Sequence, residues 1–412
     1  MEKKWFEELK TPCYVIEEGC LKENGKVLRN LAQRTGCKIL LAQKAFSNYD
    51  CYPLLADFLA GTEASGLYEA RLGAEEMPGR EVHVFCGAYR EEEFGELLQY
   101  ADHVVFNSVR QLSKFGRRVK EAGKSVGLRI NPECSTQEGH AIYDPCAPGS
   151  RLGVTREVWN REMTEELCSL LEGLHFHTLC EQDADALEVT LRALEEKFGD
   201  ILPEMKWLNM GGGHHITKQG YDVDKLEHCI RYAKEKWGVE VYLEPGEAVA
   251  LNAGYLVSRV LDIVTNGETK IAVLDTSAAC HMPDVMEMPY TPPLFDAVKV
   301  KDMEDTIVKT DSRGQKNPRP YRYRLAGPTC LAGDIIGDYY FKHELQEGDL
   351  LVFEDMAIYT TCKNNTFNGM PLPDIWKRTA KGELVQLTHF GYKDFKLRLG
   401  SEASFSQKQP SV

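Results

Sequence analysis

The chain reads as an α/β protein: a (β/α)8 barrel followed by a C-terminal all-β domain of barrel or sandwich type, tied together by an N-terminal strand. Three observations predict this. Its 412 residues exceed what one compact core of ordinary size accommodates, while leaving room for a barrel of about 200 to 250 residues and a second domain. Eight short apolar runs alternate with longer charged, helix-like stretches from Cys37 to about Gly246. After Ala250 the texture changes to β-branched and aromatic runs without a helical period.

Taken in order, "PCYVIEE" supplies the first strand, assigned to the β domain, and residues 1–18 form this N-terminal element. Residues 19–248 carry the barrel. Its strands are read in "KILLAQ", "GTEAS", "VHVFCG", "HVVFNS", "SVGLRI", "LEGLHFH", "WLNMG" and "VYLEPG". Segments such as "VRQLSKFGRRVKEAG" and "DVDKLEHCIRYAKEKWG" lie between them, with apolar residues at helical spacing and a closing glycine. The Cys- and Pro-containing stretch between "RINP" and "SRLGV" has no period, which predicts a loop over one barrel mouth. Residues 249–412 form the β domain, with strands in "YLVSRVLDIVT", "KIAVLDTS", "YRYRLAG" and "DLLVFED", and an exposed excursion from Lys299 to Pro320.

Composition narrows the function. No stretch approaches the roughly 20 apolar residues that span a bilayer, and the first residues lack a secretory or transit pattern, so the expectation is a soluble cytoplasmic protein without a membrane partner. Thirteen cysteines without a C-x-x-C pair fit reduced thiols better than a disulfide framework or zinc cluster. A net charge of -14 disfavours nucleic-acid binding and favours cationic small molecules.

In such a barrel the chemistry gathers where strands end. Lys44 ends the first strand, His177 the sixth, Gly211, Gly212 and Gly213 the seventh, and Glu244 with Pro245 and Gly246 the eighth. A partly desolvated lysine amine can attack an aldehyde and form a Schiff base, although alone it could equally be a strand-end lysine reaching for water. Three glycines let the backbone aim several N–H groups at a phosphate; an unliganded tight turn is the alternative. Glu244 could keep a ring nitrogen protonated or be a salt-bridged barrel residue, and His177 could lie flat on a planar cofactor or be structural. The pairs "HFH" and "HH" lack a further ligand at recognised spacing, so no metal site is expected. Together the four features are what pyridoxal 5'-phosphate requires.

On these motifs the chain resembles fold-type III pyridoxal-phosphate decarboxylases of the ornithine and diaminopimelate group, from "TPCYVIEE" to "NTFNGMPLPDI", and most closely their carboxynorspermidine (carboxyspermidine) branch. The resemblance implies that Lys44 in "LAQKAFS" carries the cofactor, that His177 stacks on its ring, that Gly211 to Gly213 bind its phosphate, that Glu244 in "EPGE" holds its pyridine nitrogen, and that Gly246 also binds the cofactor. It also implies that Cys330 in "AGPTCLAGD" enters the site of a partner subunit in a head-to-tail homodimer, and that Tyr359 in "EDMAIYTT" binds the phosphate. Two positions depart from the ornithine pattern: Glu247 stands where an arginine touches the phosphate, and Leu331 where an aspartate grips a substrate amine. Both argue against ornithine.

The implied activity is decarboxylation of carboxynorspermidine or carboxyspermidine in polyamine biosynthesis, with Cys330 returning the proton. Glu181, Asp284, Asp334 and Asp275 are the candidate carboxylates for the substrate's distal ammonium groups. The rival readings are a decarboxylase for diaminopimelate or another amino acid and, from another class, a catalytically silent regulator of a polyamine enzyme.

Overall fold

The computed structural model describes residues 3–137, 144–304 and 321–400, so most of the expected excursion from Lys299 to Pro320 lies outside the described residues. Two compact units divide the chain: residues 21–251, and residues 1–20 with 252–412. No described helix is long and apolar enough to cross a membrane.

The first unit is a closed barrel of eight parallel strands: β2 (Lys38–Ala42), β3 (Gly61–Ala64), β4 (Glu81–Phe85), β5 (His103–Phe106), β6 (Ser125–Arg129), β7 (Gly173–His175), β8 (Trp207–Asn209) and β9 (Glu240–Leu243), the last pairing back onto the first. The N-terminal strand β1 (Cys13–Glu17) belongs to the other unit. Each barrel strand is covered on both faces, so short continuous apolar runs suffice where an open sheet would need alternation. The helices between them start and stop at chemical signals. Ser108, Thr155, Thr164 and Asp222 each accept a hydrogen bond from a first-turn N–H, and Gly238 closes helix Val223–Trp237 in the left-handed conformation at φ 71°.

Barrel packing explains two glycines. A Cβ at Gly173 would lie 2.0 Å from the Trp207 ring and one at Gly127 2.4 Å from it, so β6 and β7 give up side chains for the indole. Trp207 then packs with Leu40, Val105 and Tyr242. A methyl at Gly173 therefore overpacks the interior, at a cost of about 1–3 kcal/mol.

The second unit is a mixed sheet in the order β12-β14-β13-β11-β10-β1-β16-β17, with β15 also on β10. The strands are β1 (Cys13–Glu17), β10 (Gly254–Asn266), β11 (Thr269–Leu274), β12 (Val298–Lys299), β13 (Tyr321–Ala326), β14 (Ile335–Phe341), β15 (Leu350–Glu354), β16 (Asp374–Arg378) and β17 (Leu384–Thr388). The N-terminal strand β1 lies inside this sheet, antiparallel to β10 and parallel to β16, and Phe6, Leu9, Cys13, Val15, Tyr255, Val257 and Val352 form a core beside it. The sequence pattern predicts β10, β11, β13 and β15 here. It misses β14, whose Gly337 and Asp338 break the apolar run; the structure uses Asp338 as a cross-strand partner for Arg322 and Arg324.

Candidate active site

Lys44 sits in the turn that closes β2, half-buried. Its neighbour Gln43 is wholly buried and fixes that turn: its Nε2 donates to Glu69 O at 2.9 Å, its Oε1 accepts from Tyr52 Oη at 3.0 Å, and its backbone N–H donates to Glu63 O. The Lys44 ammonium is close enough to Glu63, His175, His177 and Glu244 to bias the charge state of all four.

Glu244 follows β9 and is 3% exposed. Its Oε1 accepts from Asn209 Nδ2 at 2.6 Å, and its Oε2 lies 3.0 Å from His175 Nε2. Burial works against its charge, yet His175, Lys44 and His83 outweigh burial and hold the carboxyl below the usual range. It is an anion. A hydrogen bond to a charged group contributes about 1.5–3 kcal/mol, so His175 and Asn209 position as well as stabilise it. Glu63 goes the other way: burial first, with Glu244 and Glu69 adding to it, raises its carboxyl although Lys44 and Arg129 oppose the shift. Its Oε2 has no hydrogen-bond partner.

His177 lies two residues past the end of β7. Burial, then Lys44, Arg129, His175 and His214, drive its pKa well down, so the ring is neutral. Its Nδ1 accepts from the Gly212 N–H at 3.3 Å, which leaves the proton on Nε2, and Arg129 Nη2 donates to its carbonyl at 3.0 Å. Arg129 itself is 5% exposed, lies over the Phe85 ring at 4.6 Å and is pulled down to about 10 by burial.

The glycine triplet cannot be anything else. Gly211 and Gly213 have φ of 69° and 80°, and a Cβ would come within 2.4 Å of Phe176 O at Gly211, 2.5 Å of Glu244 O at Gly212 and 2.1 Å of Leu179 O at Gly213. Gly246 is constrained in the same way, 2.6 Å from the Ala45 Cβ beside Lys44. These residues fit pyridoxal phosphate: an amine for its aldehyde, a carboxylate for its ring nitrogen, a neutral imidazole for its face, and a cradle without side chains for its phosphate.

Glu181 is in the barrel unit, exposed, with a left-handed backbone at φ 51°. In the β unit, Tyr359 is half-buried with φ 49°, and Cys330 is exposed, its N–H donating to Asn368 Oδ1 at 3.0 Å. Asp334 is 2% exposed, and its oxygens accept from Ser277 Oγ, the N–H groups of Ala278 and Ala279, and Thr329 Oγ1. Asp275 accepts from Ser258 Oγ at 2.6 Å and Arg259 N at 2.9 Å. These two carboxylates fasten segments of the β unit to one another, a use that an acidic residue near an expected site does not announce. Asp284 is half-buried and ion-paired with Lys363, which also meets Glu287 at 2.5 Å.

Four residues escaped the sequence reading: Glu63, Arg129, His175 and Asn209. Their one signal is a polar side chain within or at the end of an apolar barrel strand.

The chain matches the family described as pyridoxal-dependent decarboxylase, C-terminal sheet domain, over residues 13–357. It is 42% identical over 395 residues to a carboxynorspermidine/carboxyspermidine decarboxylase of Campylobacter jejuni, covering 96% of this chain and 100% of that one. It is 40% identical to a carboxyaminopropylagmatine decarboxylase of Synechocystis, covering 97% and 98%. A crystal structure of carboxynorspermidine decarboxylase with norspermidine from Campylobacter jejuni superposes with a TM-score of 0.83 at 41% identity, over 95% of this chain and 100% of that one.

Proposed function

The chain belongs to the pyridoxal-dependent decarboxylase family, and we propose that within it this enzyme removes the carboxylate of carboxynorspermidine and carboxyspermidine as carbon dioxide, giving norspermidine and spermidine. Near-complete coverage at 42% identity to a relative of that activity carries the substrate class. The geometry at the strand ends carries the chemistry.

Pyridoxal phosphate, when bound, supplies the electron sink that accepts the bonding pair left as carbon dioxide departs. Lys44 would offer the amine that holds the cofactor's aldehyde. Anionic Glu244, steadied by His175 and Asn209, would hold the cofactor's ring nitrogen and favour a proton there. Neutral His177 backs the ring without adding a charge. Gly211 to Gly213 and Gly246 would take the phosphate. Cys330 would return a proton to the α-carbon, its S–H being the donor.

The exposed Cys330 suits delivery to the site of a second copy in a head-to-tail homodimer, and the enzyme is assigned to the cytoplasm. Of the four acidic candidates, Glu181 is the leading partner for a distal ammonium group. An ammonium at Asp284 would have to displace Lys363, and Asp334 and Asp275 are committed to bonds within the β unit.

A substrate panel tests the reading. Carbon dioxide release from carboxynorspermidine or carboxyspermidine should exceed that from meso-diaminopimelate and ornithine by at least about a hundredfold in kcat/KM, because a site built for ammonium groups leaves a distal carboxylate unpaired. Carboxyaminopropylagmatine is included because of the 40% identical relative, and preference for it would replace the polyamine assignment within the same chemistry. Preference for diaminopimelate would overturn the substrate class, and absence of turnover on every member with cofactor bound would favour the regulator.

A further inference from the structure

A cradle for a phosphate has a conflict beside it: Glu247, a carboxylate one residue beyond Gly246, at the start of helix Glu247–Ala250. The same neighbourhood contains an answer. His215, two residues past Gly213, places its Nε2 3.3 Å from Glu247 Oε1, a charge contact without hydrogen-bond alignment, and the two side chains are 13% and 16% exposed.

Both partners are fixed to the segments that build the cradle. The Glu244 N–H donates to Gly211 O at 2.7 Å, joining the strand end that leads to Glu247 to the first cradle glycine. Thr217 Oγ1 donates to Ala248 O at 2.7 Å, tying the far side of the His215 segment to the helix that begins at Glu247. The His215 N–H donates to Gln182 O at 3.2 Å, and the Gln182 N–H donates to Gly213 O at 3.0 Å. The contact is therefore built into the same hydrogen-bonded frame as the glycines.

We propose that His215 is a positioning residue for cofactor binding: as an imidazolium it neutralises Glu247, which would otherwise repel the phosphate dianion held by Gly211 to Gly213. The proposal rests on the pyridoxal-phosphate reading above. The charges facing His215 favour this state. Burial acts to discharge the ring, but Glu247 on its helix and Glu181 in the loop after β7 outweigh burial and raise its pKa, against a smaller opposing effect from Lys218. Lys218 in turn lies 3.4 Å from Asp183. The sign follows. His215 is charged below its raised pKa, and as pH climbs through it the cation is lost and Glu247 faces the phosphate alone.

The test titrates full-length protein freed of cofactor with pyridoxal 5'-phosphate and, separately, with pyridoxal, following quenching of protein fluorescence. Pyridoxal keeps the aldehyde and ring and lacks the phosphate, so the ratio of the two Kd values isolates the cradle from the bond to Lys44. Titrations run from pH 7 upward, above the phosphate's own second pKa of about 6. His215→Asn should weaken pyridoxal phosphate about tenfold and leave pyridoxal unchanged. The double variant with Glu247→Gln should recover the wild-type ratio, and Glu247→Gln alone should flatten the decline of that ratio with rising pH. Equal weakening of both ligands by His215→Asn would make the histidine merely structural and overturn the proposal. So would an unchanged ratio, or failure of the double variant to recover. Wild-type protein that binds pyridoxal phosphate no better than pyridoxal would instead remove the cofactor reading beneath it.

Discussion

The two ends of one barrel carry polar clusters of similar composition and opposite character. At the N-terminal end of the strands, Lys38 lies 2.6 Å from Glu81 and 3.1 Å from Glu240, bonds Tyr242 Oη at 3.0 Å, and shares Glu81 with His83. Charges there are matched pair by pair. Burial opposes the Glu81 carboxylate, but His83 and Lys38 bring it down to about 2. At the C-terminal end, two buried carboxyls that both feel Lys44 are pushed apart, Glu244 down and Glu63 up. Both ends thus gather charges, part-exposed at the N-terminal end and buried at the C-terminal end, and only the C-terminal end keeps groups of one type in opposite protonation states, the arrangement acid–base chemistry needs. The N-terminal cluster also imitates a metal site. Glu81, His83 and His103 bring donor atoms within 4.8 Å of one another, but the two imidazoles stack at 3.9 Å and 14°, so their lone pairs run parallel and cannot meet at one ion about 2.0–2.1 Å from each.

Mutation at the two ends should therefore fail differently. Lys44→Ala has the largest expected effect: loss of turnover by several orders of magnitude and of cofactor trapped on the chain by borohydride, with an unchanged circular dichroism spectrum. Trapped cofactor in that variant would place the covalent attachment elsewhere. Glu244→Gln should lower kcat by roughly 10²–10³ through loss of a preorganised charge, without unfolding the barrel. Lys38→Met, its counterpart at the other end, should keep kcat/KM within about twofold while lowering stability by about 1–3 kcal/mol, because Glu81 loses a partner. Equal loss of turnover in the two variants would erase the distinction.

Acid should act at both ends, through the buried His175, His177 and His214 of the C-terminal end, whose pKa values burial lowers, and through the N-terminal cluster. The His103 pKa is carried down to about 2, chiefly by burial and then by His83, so the ring is neutral when folded. The unfolded chain binds a proton there below about 6.5 and the folded chain does not, so stability falls as pH drops through that value; Glu81 adds to the loss below its unfolded pKa of about 4.3. Urea midpoints between pH 7 and 4 should decline, and His103→Gln should flatten the upper part of that decline. The smallest expected effect is from zinc, which should leave the Tm of the wild type unchanged; a rise that depends on His103 would show that the rings rotate to bind it.

In the sequence the barrel was legible because most of its strands are apolar runs punctuated by turn chemistry, and Lys44, Gly211 to Gly213 and Glu244 were legible as candidates because they interrupt those runs at their ends. His175, Asn209, Glu63 and Arg129 were not. A barrel strand is buried on both faces, so periodicity does not say which polar residue points inward, and the pairing of His175 with Glu244 joins positions 69 residues apart. Strands β12, β16 and β17 are short or polar, and only their neighbours define them. Asp334 and Asp275 show the converse: acidic residues expected to meet a cationic substrate spend their oxygens on their own backbone and hydroxyl neighbours.

The division of Glu63 and Glu244 into acid and anion is open to direct observation by infrared difference spectroscopy near pH 6, comparing the wild type with Glu63→Gln and Glu244→Gln. A protonated carboxyl C=O band that disappears in Glu63→Gln, and a carboxylate band that disappears in Glu244→Gln, is the predicted pair of results. Carboxylate bands lost in both variants, with no protonated band in the wild type, would contradict it.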